Sequence, residues 1–241
     1  MAVQALADGR VLAERIGEFP PRVVALHGWG RSGSDFIPVL AGLDAVAIHL
    51  PGFGPASPPE GVWGTEDYAE LVADAITPFA PVVVVGHSFG GRIAVRLAAR
   101  HPELVSALVL TGAPLVRLGT PTKPKLSYRI AKWLNRVGVV SDSAMETRRR
   151  SAGSADYNAA AGVMRDIMVK TVNENYDSDL ARITAPTSMV WGENDTAAPT
   201  EAGKIASERI LGATWTVVQG EAHLLTPVLG SAVRRAVEEA L

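Results

Sequence analysis

A serine set among glycines, Gly86-His87-Ser88-Phe89-Gly90-Gly91, follows directly on four valines (residues 82–85) and opens a stretch with helical spacing. Gly-x-Ser-x-Gly between a strand and a helix is the pattern of a strained turn that exposes the serine oxygen for nucleophilic attack. In so tight a bend, a Cβ at position 86 or 90 would collide with neighbouring backbone, so both positions require glycine. The start of the following helix presents free N–H groups, which stabilise negative charge on a reacting oxygen. The five-residue pattern alone arises by chance in many chains. Its place between strand and helix separates Ser88 from an ordinary helix N-cap.

A serine hydroxyl is a weak nucleophile near neutral pH and needs a base within hydrogen-bond reach. Of the five histidines, His27, His49 and His87 sit at strand ends and His101 ends a helix before Pro102. His223 differs, because Gly220-Glu221-Ala222-His223 is a loop between the last strand and the last helix. It is the candidate base. A carboxylate is then needed to fix the imidazole tautomer and stabilise its charged form. Trp191-Gly192-Glu193-Asn194-Asp195 lies at the end of another strand, and makes Asp195 the candidate, with Glu193 in reserve. The chain order serine, aspartate, histidine is one of three unrelated layouts of such a triad.

Attack on a carbonyl develops a negative oxygen that needs two donors. The N–H of Phe89, just after the nucleophile, is one. The other is expected in His27-Gly28-Trp29-Gly30, whose glycines allow close backbone approach, with the Trp29 N–H as donor. His27 itself reads as a hydrogen-bonding residue within that loop. No metal ligand and no cofactor are required by this chemistry.

The elements that must carry these residues alternate. Residues 3–7 and 11–15, joined through Asp8-Gly9, read as a hairpin. Short apolar runs at 22–26, 45–48, 82–85, 104–110 and 188–191, with a last one at Val217-Val218, suit strands covered on both faces. Helical patterns fall at 66–76, 90–100, 201–210 and 234–241. This predicts an α/β fold with a doubly wound, mostly parallel sheet. Between 113 and 180 the alternation stops. Pro114, Pro121 and Pro124 open that stretch, and two apolar stripes follow: Ile130, Trp133, Leu134 and Val137, then Met164, Ile167 and Met168. The reading is one core domain, residues 1–112 and 181–241, with a helical cap inserted at 113–180.

Composition agrees. The 241 residues are 47% hydrophobic and 20% charged, ample for a core and too apolar for disorder. The absence of cysteine removes a disulfide framework, a thiolate metal site and a cysteine nucleophile. With 23 basic against 25 acidic residues, there is no excess of positive charge for nucleic acid. No apolar stretch is long enough to span a bilayer, since the run of valines ends at Gly86. Gln4 and Asp8 interrupt the apolar residues of the N-terminus, which lacks a basic leader and so does not read as a signal peptide. A cytoplasmic protein is expected.

HGWG (27–30), PGFG (51–54), GHSFGG (86–91), WGENDTAAP (191–199) and GEAH (220–223) together resemble the α/β-hydrolase superfamily over nearly the whole chain. The insertion at 113–180 matches the place of that family's variable cap. The resemblance implies the triad Ser88, Asp195 and His223 and the oxyanion donors Trp29 and Phe89. His49 departs from the pattern, since many members carry Asp there to fix a loop. Members that use Asp as nucleophile, the haloalkane dehalogenases and epoxide hydrolases, are disfavoured by Ser88.

An esterase-like hydrolase of small to medium acyl substrates is the leading expectation, acting on a small-molecule ester. Trp133, Met164, Met168 and Leu224 are candidate pocket residues, each also readable as cap or core packing. A C–C bond hydrolase of ring-cleavage products comes second, weakened because Leu224 rather than an aromatic follows His223. A cofactor-free perhydrolase would use the same triad. A ligand receptor retaining the triad is the non-enzymatic alternative, marked by a single burst and a stable adduct. Whether the chain works as a monomer or a dimer is not encoded in these patterns.

The near-neutral charge hides an uneven distribution. Residues 114–150 hold nine basic residues against Asp142 and Glu146. Arg129, Lys132 and Arg136 lie off the apolar stripe, as a solvated helix face would place them. Such a face predicts the same salt dependence of kcat/KM for a carboxylate-bearing ester and its neutral analogue. A steeper fall for the anionic ester would instead mark an anion-attracting lid.

Overall fold

The computed structural model describes residues 2–119 and 159–241. Eight strands form one sheet: β1 (Ala2–Leu6), β2 (Val11–Ile16), β3 (Val23–Leu26), β4 (Ala45–His49), β5 (Val82–His87), β6 (Val105–Thr111), β7 (Thr187–Gly192) and β8 (Thr214–Val218). Their spatial order is β1-β2-β4-β3-β5-β6-β7-β8. The first two pairings are antiparallel and all the others parallel. From β3 the chain steps to β4 on one side and then returns to β5 on the other. The carboxyl ends of β3 and β5 therefore flank a reversal of strand order, where open parallel sheets bind their ligands.

The uninterrupted apolar strands follow from burial on both faces. Because side chains alternate, Val24, Leu26, Val46, Ile48 and Val84 point to one face, against Ile93 and Leu97 of α3 (Phe89–Arg100) and Val72 of α2 (Thr65–Ile76). Val23, Ala25, Ala45, Ala47, Val83 and Val85 point to the other. There they meet Val39 and Leu40 of α1 (Ile37–Leu40) and Leu229, Val233 and Val237 of α7 (Pro227–Ala240).

After β6 the chain leaves the sheet and returns at β7. Its described part in this stretch carries α4 (Gly162–Thr171) and α5 (Asp177–Leu180). The return is tied to α3 by two arginines. Arg92 donates to the carbonyls of Pro114 and Thr171 at 3.1 Å each. Arg96 donates to the Asn175 carbonyl and pairs with Asp179. The stripe from Ile130 to Val137, Trp133 within it, and nearly all of the basic stretch lie outside the described residues. One further helix, α6 (Thr200–Glu208), covers β7.

Three elements differ from the sequence pattern. Ala7 leaves the first strand, so residues 7–10 make the turn, with Ala7, Asp8 and Gly9 all at positive φ. The β8 strand is longer than Val217-Val218 because it lies at the sheet edge, where Thr214 and Thr216 face solvent and break the apolar run. Helix α7 begins at Pro227, seven residues before the helical spacing becomes evident. Thr226 Oγ1 caps it by accepting the Leu229 N–H, and proline is well suited to the first helical position. Gly230 masks the pattern. It sits where a Cβ would lie 3.1 Å from Val39 Cγ2, so it lets α7 lie close on α1.

The turn after β5 is the tightest packed. A Cβ on Gly86 would lie 2.5 Å from Gly91 Cα, and one on Gly90 would overlap the Leu26 carbonyl. Gly90→Ala should therefore cost about 1–3 kcal/mol, lowering the melting midpoint by roughly 2–4 °C per kcal/mol. Gly61→Ala, where nothing lies within 4 Å, should leave the midpoint unchanged. Scanning calorimetry of both variants is the check.

Candidate functional site

Ser88 sits between β5 and α3 at φ 52°, ψ −112°, in the left-handed half of the Ramachandran map, where only glycine is comfortable. Its N–H donates to the Thr111 carbonyl at 2.9 Å, and the Gly90 N–H donates to the His27 carbonyl at 3.0 Å. Those bonds lash the turn to β6 on one side and to the end of β3 on the other. The side chain is left facing out over the carboxyl edge of the sheet.

His223 reaches Ser88 from the loop between β8 and α7. The Ser88 hydroxyl donates to His223 Nε2 at 3.0 Å, and His223 Nδ1–H donates to Asp195 Oδ2 at 2.8 Å. The other carboxylate oxygen, Oδ1, accepts the N–H groups of Ala197 and Ala198 at 2.9 and 2.8 Å. With its side chain 1% exposed, Asp195 is held by three donors and has no freedom to turn away. Trp191, fully buried, donates from Nε1 to the Ala198 carbonyl and so fixes the same loop. Glu193 takes a different place: its carboxylate accepts the Gly220 N–H. Asp195, not Glu193, meets the imidazole.

The backbone N–H groups of Phe89 and Trp29 lie on the other side of Ser88. Phe89 N–H opens α3, and neither it nor the Trp29 N–H has an acceptor among the described residues. A Cβ on Gly28 would lie 3.3 Å from Ser88 Cβ, so the loop bearing Trp29 passes directly beside Ser88. The Trp29 and Phe89 rings meet edge to face, with centroids 5.2 Å apart, and Phe53 joins both.

A cavity of about 250 Å³ opens there, lined by Trp29, Gly30, Gly52, Phe53, Ala159, Ala160, Ala161 and Met164. Met164 also packs against Gly52, whose φ of +92° no other residue tolerates well. Met168 is buried on α4, and Leu224, beside His223, is 56% exposed. Neither lines this cavity, and Trp133 is outside the described residues.

Two glycines with no role assigned from the sequence also shape the site. Gly112, at φ +57°, packs where a Cβ would lie 3.1 Å from the His223 ring and 3.2 Å from Asp195 Oδ2. Gly192 lets the Asp195 loop pass the Ala222 carbonyl. Only the fold brings them to the site.

The sequence profile of the alpha/beta hydrolase family matches residues 23–237, nearly the whole chain. The chain belongs to the alpha/beta hydrolase family. It is 39% identical over 113 residues to an esterase of Mycobacterium tuberculosis, a match covering 45% of this chain and 38% of that protein. It thus spans under two-fifths of that relative. It is 26% identical over 232 residues to a 2-hydroxy-6-oxononadienedioate/2-hydroxy-6-oxononatrienedioate hydrolase of Cupriavidus pinatubonensis, covering 80% of this chain and 77% of the other. Among solved structures, a bromoperoxidase from Bacillus anthracis superposes with a TM-score of 0.73 at 20% identity, over 99% of this chain and 98% of that one. Among the described residues, no helix is long and apolar enough to cross a membrane.

Two of the other histidines of this alpha/beta hydrolase, His27 and His49, serve its loops. His27, fully buried, donates from Nδ1 to the Gly28 carbonyl at 2.7 Å and accepts the Leu50 N–H at Nε2. The expected loop role is what its contacts describe. His49 Nδ1 accepts the Gly33 N–H, the kind of loop-fixing bond that an aspartate would make. Burial pulls His27 and His87 from the ordinary 6.5 down to about 4, so both are neutral at pH 7. An unfolded chain would protonate them first. Their contribution to stability is therefore complete above pH 6.5 and is lost as pH falls toward 4. Melting midpoints measured against pH should be level above neutrality and fall through that window. A profile still level at pH 4 would contradict it.

Proposed function

We propose that this protein is a serine hydrolase that cleaves esters of small to medium, apolar acyl groups through an acyl-enzyme. The observation that carries the reading is the unbroken hydrogen-bond chain from Ser88 Oγ through His223 to the buried Asp195 carboxylate. His223 takes the Ser88 proton as Oγ attacks the ester carbonyl. Asp195 holds the imidazole in the tautomer that presents a lone pair to Ser88, and stabilises the imidazolium that forms. The N–H groups of Phe89 and Trp29 receive the oxyanion. The imidazolium returns its proton to the departing alcohol. Water then deprotonated by His223 cleaves the acyl-serine and regenerates the enzyme.

The scale of the acyl group is argued from the cavity against the loop that carries Trp29, about 250 Å³ and walled by Trp29, Phe53, Met164 and three alanines. Ligand pockets typically run from about 300 to 1,000 Å³, so this one suits a short chain. In this reading residues 113–180 form the helical cap over a core of residues 1–112 and 181–241, and Ala159, Ala160, Ala161 and Met164 are cap residues in the pocket wall.

Ser88→Ala should lower turnover of p-nitrophenyl esters by about a thousandfold or more. It should also abolish labelling by a fluorophosphonate, with an unchanged melting midpoint. Retained esterase activity in that variant would overturn the proposal. A graded ester panel should show kcat/KM highest for short acyl chains, whereas a maximum at long chains would refute the pocket assignment.

A further inference from the structure

The proposed chemistry leaves His87 without a task, although it stands between β5 and the nucleophile. Alternation along β5 puts Val83, Val85 and His87 on the face of the sheet covered by α7. The imidazole therefore lies under the turn, toward the loop that runs from β8 into α7. There its Nε2 lies 2.9 Å from the backbone carbonyl of His223. The two rings are tilted to each other, with centroids 5.0 Å apart.

The surroundings decide the tautomer. A carbonyl can only accept, so Nε2 must carry the proton. Nδ1 has no partner among the described residues and faces Gly28, where a Cβ would lie 3.0 Å away. An N–H on Nδ1 would be buried there without an acceptor, whereas a bare nitrogen leaves no donor unpaired. The ring is 2% exposed and neutral at pH 7, as burial and the neighbouring His223 both demand. Neutrality also spares His223 a like charge when it takes up a proton.

The loop is otherwise pinned on either side of His223. Glu221 accepts the Asn194 N–H at 2.7 Å, and the Thr226 N–H donates to the Leu224 carbonyl at 2.8 Å. Among the described residues, the bond received by the carbonyl of His223 itself comes from His87.

The geometry points to His87 as a positioning residue for the general base. Holding the His223 carbonyl from beneath sets the height and tilt at which one imidazole meets both Ser88 Oγ and Asp195 Oδ2. The same ring rests on Gly28, so a single side chain also braces the loop that carries the Trp29 N–H. The inference rests on Ser88 as nucleophile and His223 as base.

Two substitutions separate this role from packing. In His87→Gln the amide nitrogen reaches the place of Nε2 and can still donate to the carbonyl. In His87→Asn the side chain is one carbon shorter and cannot. His87→Asn should lower kcat for p-nitrophenyl butyrate by about 10–100-fold, with KM within about threefold, since a misplaced base slows chemistry rather than binding. His87→Gln should stay within about fivefold of the wild type in kcat. Melting midpoints of both are recorded alongside, because packing damage would appear there and would not follow the donor. Wild-type kcat in His87→Asn, or equal loss in both variants, overturns the inference.

If either variant does not fold, long-range 15N–1H spectra of the wild-type imidazoles carry the test. His87 should be the neutral Nε2–H tautomer from about pH 8 to pH 5. A proton on Nδ1 would overturn it. Turnover surviving Ser88→Ala would instead remove the underlying reading, while full loss there with unaltered kcat in His87→Asn removes only the role of His87.

Discussion

One backbone conformation governs the arrangement of this protein: Ser88 at φ 52°, ψ −112°. A non-glycine residue there costs on the order of 1–3 kcal/mol and persists only where its surroundings over-determine it. Here they do. Strand β5 is buried on both faces and paired in parallel with β3 and β6. The Thr111 and His27 carbonyls, one from each flank, hold the turn by accepting N–H groups of Ser88 and Gly90. The glycines at 86 and 90 remove the Cβ atoms that would push those flanks apart. The strain is thus set against a fully formed parallel sheet, and relaxing the turn would break into its centre.

Charge is distributed around that turn by burial. His27 and His87 are drawn down to about 4 and remain neutral hydrogen-bonding groups near Ser88. His223, 22% exposed by side chain, is less buried than these two, and it alone has a carboxylate on Nδ1 and a hydroxyl on Nε2. In the proposed cycle a proton moves between Ser88 and His223 while the nearby imidazoles stay uncharged. Five histidines look interchangeable in composition; their depth and their partners make them different instruments.

Much of this was legible in the sequence because it depends on local pattern. The strand-turn-helix setting of Ser88 is written in consecutive residues, and the doubly wound sheet in runs of β-branched residues bounded by Gly and Pro. Asp195 and His223 were placed by their position after strands, and the fold brings both to Ser88. What escaped depends on contacts between distant segments. Gly112 looks like any strand-end glycine until the His223 ring is packed against it. The bond from His87 to the His223 carbonyl spans 136 positions and leaves no periodicity to read. Helix α7 hid its first turns because Gly230, needed for close packing on α1, lowers the apparent helical pattern. Leu224 reads as a pocket candidate because it is apolar, and in the structure it is exposed and lies outside the lining of the cavity.

Direct detection of the covalent intermediate tests the central claim most closely. The wild-type protein would be mixed with a p-nitrophenyl ester, quenched in acid on the millisecond scale, and digested for peptide mass spectrometry. An acyl-serine hydrolase predicts one acyl group per chain, on the peptide carrying Ser88, appearing with the burst of p-nitrophenol. Steady turnover with Ser88 unmodified at every quench time, or with the acyl group on another residue, would contradict it.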